Sequence, residues 1–168
     1  MNAEKLRALQ APLKARYKED PPSAIVIQHA RGRVDQESIT CTLETGKPGV
    51  PAGLHPATGG DGTKACSGDM LLEALVSCAG VTLAAVATAM SITLSSATVA
   101  AEGVLDYRGT LGVAKDAPVG FPKIRLVFEI ASDATHDKVK KLVELTERYC
   151  VVFQSLAHPP AIDVVIGR

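Results

Sequence analysis

The sequence has no tryptophan, and its aromatic residues are only three Phe and three Tyr. A sugar site built on a tryptophan face is excluded, and stacking platforms for single-stranded nucleic acid are poorly supplied. Net charge is also absent, because eighteen Lys plus Arg balance eighteen Asp plus Glu. A neutral chain has no global attraction to nucleic acid or to an anionic membrane, so neither is expected as a partner. Four cysteines are too few for a disulfide-stapled scaffold. The stretch Met1–Lys18 is charged and lacks a signal-peptide core. The expected setting is cytoplasmic, with thiols reduced.

Several motifs are missing as well. There is no Cys-x-x-Cys and no Cys/His pair at ligand spacing, and His29, His55, His136 and His158 are scattered. Metal binding is not expected. The Gly-x-Ser-x-Gly elbow of a serine nucleophile is absent. Gly59-Gly60-Asp61-Gly62 lacks dinucleotide-fingerprint spacing, and no Gly-Lys-Ser/Thr follows it. No phosphate cradle and no cofactor are expected.

What is present is a chain of 168 residues, 46% hydrophobic and 21% charged. A domain of this size buries roughly 70% of its unfolded surface. Leu6, Leu9, Leu13 and Tyr17 predict a short helix over 3–18, broken near Pro12. Ser23–His29 and Ser38–Thr45 predict a hairpin joined through Arg31-Gly32-Arg33. The stretch Gly46–Gly68, rich in Gly and Pro, predicts a long functional or mobile loop. A helix over Met70–Ala89, capped by Ser67 or Asp69, is apolar on nearly every face. Such a helix is buried in a core or a membrane. Its run of Ala, Gly, Ser and Cys, with no flanking basic cluster, favours a core helix surrounded by protein. The small residues allow close approach of another backbone, including that of a symmetry mate.

Thr93–Arg108 and Lys123–Ser132 read as strands, and the latter alternates Ile124, Leu126, Phe128 and Ile130 inward. A third helix starts at Asp133 or Thr135 and buries Val139, Leu142, Val143 and Leu145–Thr146. Val151–Leu156 is a short continuation or a turn, and Ala161–Gly167 a closing strand. The pattern gives α+β with largely antiparallel sheets.

Cys78 lies midway along the apolar helix and Cys150 at the end of the amphipathic one. Taken singly, each reads as a small core residue. Cys41 alternates inward on a strand and looks structural. Cys66 precedes a helix N-terminus, a position that lowers a thiol's pKa.

Gly59-Gly60-Asp61-Gly62, followed by Ser67-x-Asp69-x-Leu71-Leu72-x-Ala74-Leu75-x-x-Cys78-x-x-x-Thr82-Leu83, resembles the OsmC/Ohr family of hydroperoxide-reducing proteins. The order of elements across 23–168 agrees. The resemblance implies a variable helical extension over 1–20 and one OsmC-like domain over 21–168. In that domain, antiparallel sheets pack around the buried central helix of an intertwined homodimer. It implies a thiol peroxidase: Cys78 attacks an organic hydroperoxide, becomes a sulfenic acid and is resolved by Cys150. A dithiol of the lipoyl type restores both thiols. It also implies an arginine, Arg33 in preference to Arg31, held by a carboxylate, Asp69 or Glu73. That cation would offset the burial that otherwise raises a thiol's pKa. The sequence departs from the family at Ser67-Gly68-Asp69, where a proline and a glutamate are usual, and at Val151, where proline is common. Two other readings stay open: a non-catalytic dimer binding a small apolar ligand, and a redox or persulfide-handling protein using Cys78 alone.

Overall fold

The computed structural model describes residues 2–5, 8, 10, 11, 19, 50–112 and 114–167, together with the backbone of 32–35 and 40–43. The expected strand Ser23–His29, the break at Pro12 and Arg31 lie outside the described residues. Residues 3–5, 8, 10 and 11 are helical. The chain forms two compact units. One comprises Ala8–Glu73 and Ala101–Leu126, the other Met1–Arg7, Ala74–Ala100 and Val127–Arg168.

The first unit holds a four-stranded sheet in the order β1 (Gly32–Asp35), β2 (Thr40–Leu43), β3 (Pro51–Gly53) and β4 (Ala65–Cys66). Strands β1 and β2 are antiparallel, with Arg33 opposite Thr42 and Val34 opposite Cys41. Arg33 therefore belongs to the first strand of the hairpin, not to its turn. The long loop is also corrected, because β3 and β4 arise within it. Pro51 is tolerated because it opens its strand. The β1–β2 and β2–β3 pairs are antiparallel and the β3–β4 pair is parallel, so this sheet is largely antiparallel, as expected, with one parallel pair at its edge. Cys66 ends β4 and is not a loop residue.

Between these strands, Pro56–Thr58 forms a 3-10 turn that ends at Gly59, whose φ is 95°. Gly60 passes so close to Leu54 that a Cβ would sit 1.8 Å from the Leu54 carbonyl oxygen. Beyond, β5 (Leu94–Gly103) stops five residues short of the expected Arg108. Asp106 there accepts the Arg108 N–H at 3.0 Å and caps a one-turn helix, α2 (Tyr107–Thr110).

The helix α1 (Ser67–Ala89) starts earlier than the sequence predicts. Ser67 is its first residue and Asp69 lies in its first turn, so neither stands before it as a cap. The negative charge of Asp69 suits the positive end of the helix dipole. In the second unit, Leu83 and Ala87 of α1 pack with Leu142 of α3 (His136–Tyr149). Val86, Met90, Ile92, Leu94, Val99, Phe128 and Ile130 close around them. Strand β5 pairs with β6 (Ile124–Ser132). The Ser95 hydroxyl donates to the Ala131 carbonyl at 2.9 Å and Thr98 to Glu129 at 2.8 Å, an opposed register that makes the pair antiparallel. A short helix, α4 (Val151–Ala157), follows α3.

Two expectations about burial change here. Along α1 only Leu75, Ala79, Leu83 and Ala87 are fully buried, a stripe spaced by four, while Val81 is 73% exposed. Among the described residues, none encloses the remaining faces of the helix. Its length and mean hydropathy of 2.0 meet the requirement for a membrane span, as core helices of globular proteins also do. The closing strand is the second change. Residues 161–167 form no strand, and Ile162, Val164, Val165 and Ile166 are each at least 80% exposed. These apolar residues have no ladder partner among the described residues.

Leu142 is fully buried where α1, α3 and the β5–β6 pair meet. Leu142→Ala is expected to destabilise the fold by about 2–5 kcal/mol, measured as a lowered urea midpoint with an unchanged m-value.

Candidate active site

Cys78 and Cys150 are brought together within one unit. Cys78 is half-buried on α1, beside the buried Ala79. Cys150 is fully buried and continues the row Leu142, Thr146, Cys150 along α3. It is also the corner between two helices. Its backbone is extended, at φ −75° and ψ 110°, so it ends α3 and begins α4. Its N–H donates to the Thr146 carbonyl at 2.9 Å and its carbonyl accepts from Gln154 N–H at 2.9 Å. The Gln154 side chain reaches back to the Glu147 carbonyl at 2.9 Å, tying the start of α4 to the end of α3. The corner thereby keeps its backbone hydrogen bonds while aiming the first N–H groups of α4 outward.

Those N–H groups act on Cys78. Burial alone pushes its thiol up, but the Val152 N–H, the Cys150 thiol, the Val151 N–H and the Thr82 hydroxyl all favour the charged sulfur. The net result is a Cys78 thiol below its ordinary value. Cys150 moves the other way. Burial raises it, the Cys78 sulfur raises it further through a hydrogen bond and through charge, and the N–H groups of Phe153 and Val152 oppose without prevailing. The pair is differentiated: one sulfur is biased toward thiolate, its neighbour toward thiol. Among the described residues, the groups that offset burial at Cys78 are backbone amides, a thiol and a hydroxyl, where the sequence asked for a cation.

The other expected site residues are placed elsewhere along the chain. Asp69 precedes Cys78 by nine residues, about 13 Å of helix rise, and Glu73 precedes it by five. Arg33 is placed by its β1 backbone only. Asp69 belongs to a separate cluster at the start of α1. There, burial first, and then Cys66 and Asp69, raise the Tyr107 phenol, and the Tyr107 ring stacks on His55 at 4.9 Å. A cavity of about 310 Å³ lies in the glycine-rich loop, lined by Leu54, Gly60, Asp61, Thr63 and Lys64 among others, and contains neither site cysteine. No group of three metal-ligating side chains occurs among the described residues.

Sequence reasoning missed Thr82 and the amides of Val151 and Val152. Thr82 did leave a signal, since a residue four beyond Cys78 on a helix shares its face. The amides left none, because a backbone donor has no letter of its own.

An α+β chain with a cysteine on a long apolar helix and a second at a helix corner defines a recognisable class. The sequence profile of the OsmC-like protein family matches residues 60–165. The chain belongs to the OsmC-like family. Its fold is shared by the OsmC-like protein from Mycoplasma pneumoniae, at 17% identity and a TM-score of 0.67 over 80% of this chain and 89% of that one. It is shared by an organic hydroperoxide resistance protein OsmC from Legionella pneumophila, at 13% identity and 0.61, over 79% and 91%. The organic hydroperoxide resistance protein OhrB of Bacillus subtilis also shares it, at 17% identity and 0.54, over 80% and 94%. No curated protein sequence matches this chain.

Val151 occupies the first helical position of α4, where proline fits sterically but brings no N–H. Val151→Pro is expected to move the pH midpoint of Cys78 alkylation upward while the circular-dichroism spectrum is retained. Because the wild-type pKa is lowered, Cys78 should react with iodoacetamide at lower pH than Cys150. Rate against pH, resolved by peptide mapping, checks both.

Proposed function

We propose that this chain is a cysteine-based peroxidase that reduces organic hydroperoxides. The observation that carries the reading is the opposed perturbation of two adjoining sulfurs, Cys78 lowered and Cys150 raised. A thiolate is the nucleophile that an O–O bond requires. The Cys78 thiolate attacks the terminal peroxide oxygen. An S–O bond forms, the O–O bond breaks, and the departing alkoxide takes a proton from water to leave as the alcohol. Cys78 becomes a sulfenic acid. The Cys150 sulfur then displaces hydroxide from it, which leaves as water with the Cys150 proton, and a disulfide forms. A dithiol of the lipoyl type supplies two electrons and two protons to restore both thiols. The family resemblance gives Arg33 the role of orienting cation and Asp69 that of its carboxylate partner, with Arg31 and Glu73 as the alternatives.

The working unit in this reading is a homodimer in the cytoplasm. The open faces of α1 and the exposed apolar run Ile162–Ile166 support it, because no isolated chain gains by leaving so much apolar surface in water. The protein is expected to elute as a species of twice 17.5 kDa by light scattering. A monodisperse single chain would overturn the dimer.

The peroxidase is tested by adding one equivalent of cumene hydroperoxide to reduced protein. Intact mass should fall by two hydrogens, with peptide mapping to a Cys78–Cys150 disulfide. Cys150→Ser should stop at a sulfenic acid that dimedone traps, and Cys78→Ser should show neither product. An unchanged mass with Cys78 inert to alkylation would replace the reading with a ligand-binding dimer.

A further inference from the structure

We propose that Gln154 is a positioning residue that keeps the second thiol enclosed: its side-chain amide gives the Glu147 carbonyl the hydrogen bond that a straight α3 would draw from Val151, and so holds α4 turned against Cys150. The inference rests on the two-cysteine reading, because it concerns the sulfur that reading uses second. The last carbonyls of a helix have no partner within it. At the end of α3 the Thr146 carbonyl still accepts the Cys150 N–H, at 2.9 Å. The next carbonyl is that of Glu147, and in a continuing helix its donor is the N–H of Val151. The ψ of 110° at Cys150 turns that N–H out of the ladder. The Gln154 side chain takes its place, donating to the Glu147 carbonyl at 2.9 Å. The main-chain N–H of Gln154 meanwhile donates to the Cys150 carbonyl at 2.9 Å and starts α4. One residue thus binds both arms of the corner.

The sequence offers nothing else to stop the helix there. From His136 to Ala157 there is neither glycine nor proline, the residues that usually end one. A single straight helix through Cys150 is therefore the competing state. The two states differ in which donor serves the Glu147 carbonyl: the Gln154 amide in the bent one, the Val151 N–H in the straight one.

Burial shows what the bend achieves. Cys150 is 0% exposed, yet its neighbours Tyr149 and Val151 are 58% and 71% exposed. The row Leu142, Thr146 and Cys150 accounts for its inward side. The Gln154 bond lays the first turn of α4 beside the last turn of α3 and closes the other side. Straightening the corner removes that cover. Gln154 accordingly sets which sulfur a reagent from solvent reaches: half-buried Cys78, and not Cys150.

The test is the rate at which iodoacetamide alkylates Cys150 in the reduced full-length protein at fixed pH, read by peptide mapping. Gln154→Leu keeps the bulk and removes the donor. It is expected to raise the Cys150 rate about tenfold, the size of one neutral hydrogen bond. Gln154→Lys, whose ammonium can cap a carbonyl at a helix end, should return the rate to within about twofold of wild type. Val151→Pro separates positioning from loss of stability. Proline has no N–H for the Glu147 carbonyl, its ring would strike that carbonyl in a straight helix, and it favours an extended residue before it. In a Val151→Pro background, Gln154→Leu should therefore leave Cys150 protected. Lys141→Ala, which removes a side-chain bond within α3 away from the corner, should leave the rate in place. If Gln154→Leu does not fold, Gln154→Ala carries the same comparison. A Gln154→Leu rate equal to wild type overturns the proposal, as does an equal rise from Lys141→Ala or a rise that persists beside Val151→Pro. Failure of the peroxidase reading is distinguishable: cumene hydroperoxide then leaves the mass unchanged while the Gln154→Leu rise and its suppression by proline persist.

Discussion

A sulfur removed from water resists ionisation, and the arrangement around Cys78 is governed by that constraint. Packing α1 into a core places the thiol where its neutral form is favoured. The opposing groups come from a different part of the chain, the corner at Cys150, and this requires α3 and α4 to meet at a defined angle. The buried row Leu142, Thr146 and Cys150 holds one side of that corner, and the Gln154–Glu147 hydrogen bond holds the other. The core cluster of Leu83, Ala87 and Leu142 fixes α3 against α1. Hydrophobic packing and thiol chemistry are therefore one problem here. The side chains that exclude water from the core also set the position of the amides that favour a charged sulfur.

The departure at Val151 takes on a different meaning in this setting. Proline at the first helical position would fit the backbone but would present no hydrogen. Valine presents one, and it is directed at Cys78. A position that looks like a lost motif in the sequence is, in the fold, an added donor. Thr82 belongs to the same group of neutral donors, so among the described residues several modest dipoles act together on Cys78.

Much of the fold was legible from pattern. The alternation of Ile124, Leu126, Phe128 and Ile130 gave β6 almost to its ends, and the Leu142–Thr146 stripe gave α3. Long periodic segments announce themselves because their burial is one-sided. The strands β3 and β4, three and two residues long, did not, because nothing local specifies them. They exist through pairing with distant residues, in a stretch where Gly and Pro signal a loop. The segment 161–167 failed in the opposite sense, since it is apolar and β-branched like a strand but has no partner among the described residues. At the site, both cysteines were legible as residues, and the resemblance joined them. The amides were not, for backbone donors become visible only when a chain is folded.

The complete burial of Cys150 has a consequence for direction of approach. Its sulfur is enclosed, while Cys78 is partly open. A thiol arriving from outside at a bond between the two meets the sulfur of Cys78 first, and Cys150 is then the departing group. Thiolates that form at high pKa depart slowly. In the disulfide proposed above, the buried partner would be the slower of the two sulfurs to depart, so reopening would favour a reductant whose second sulfur is tethered close to its first.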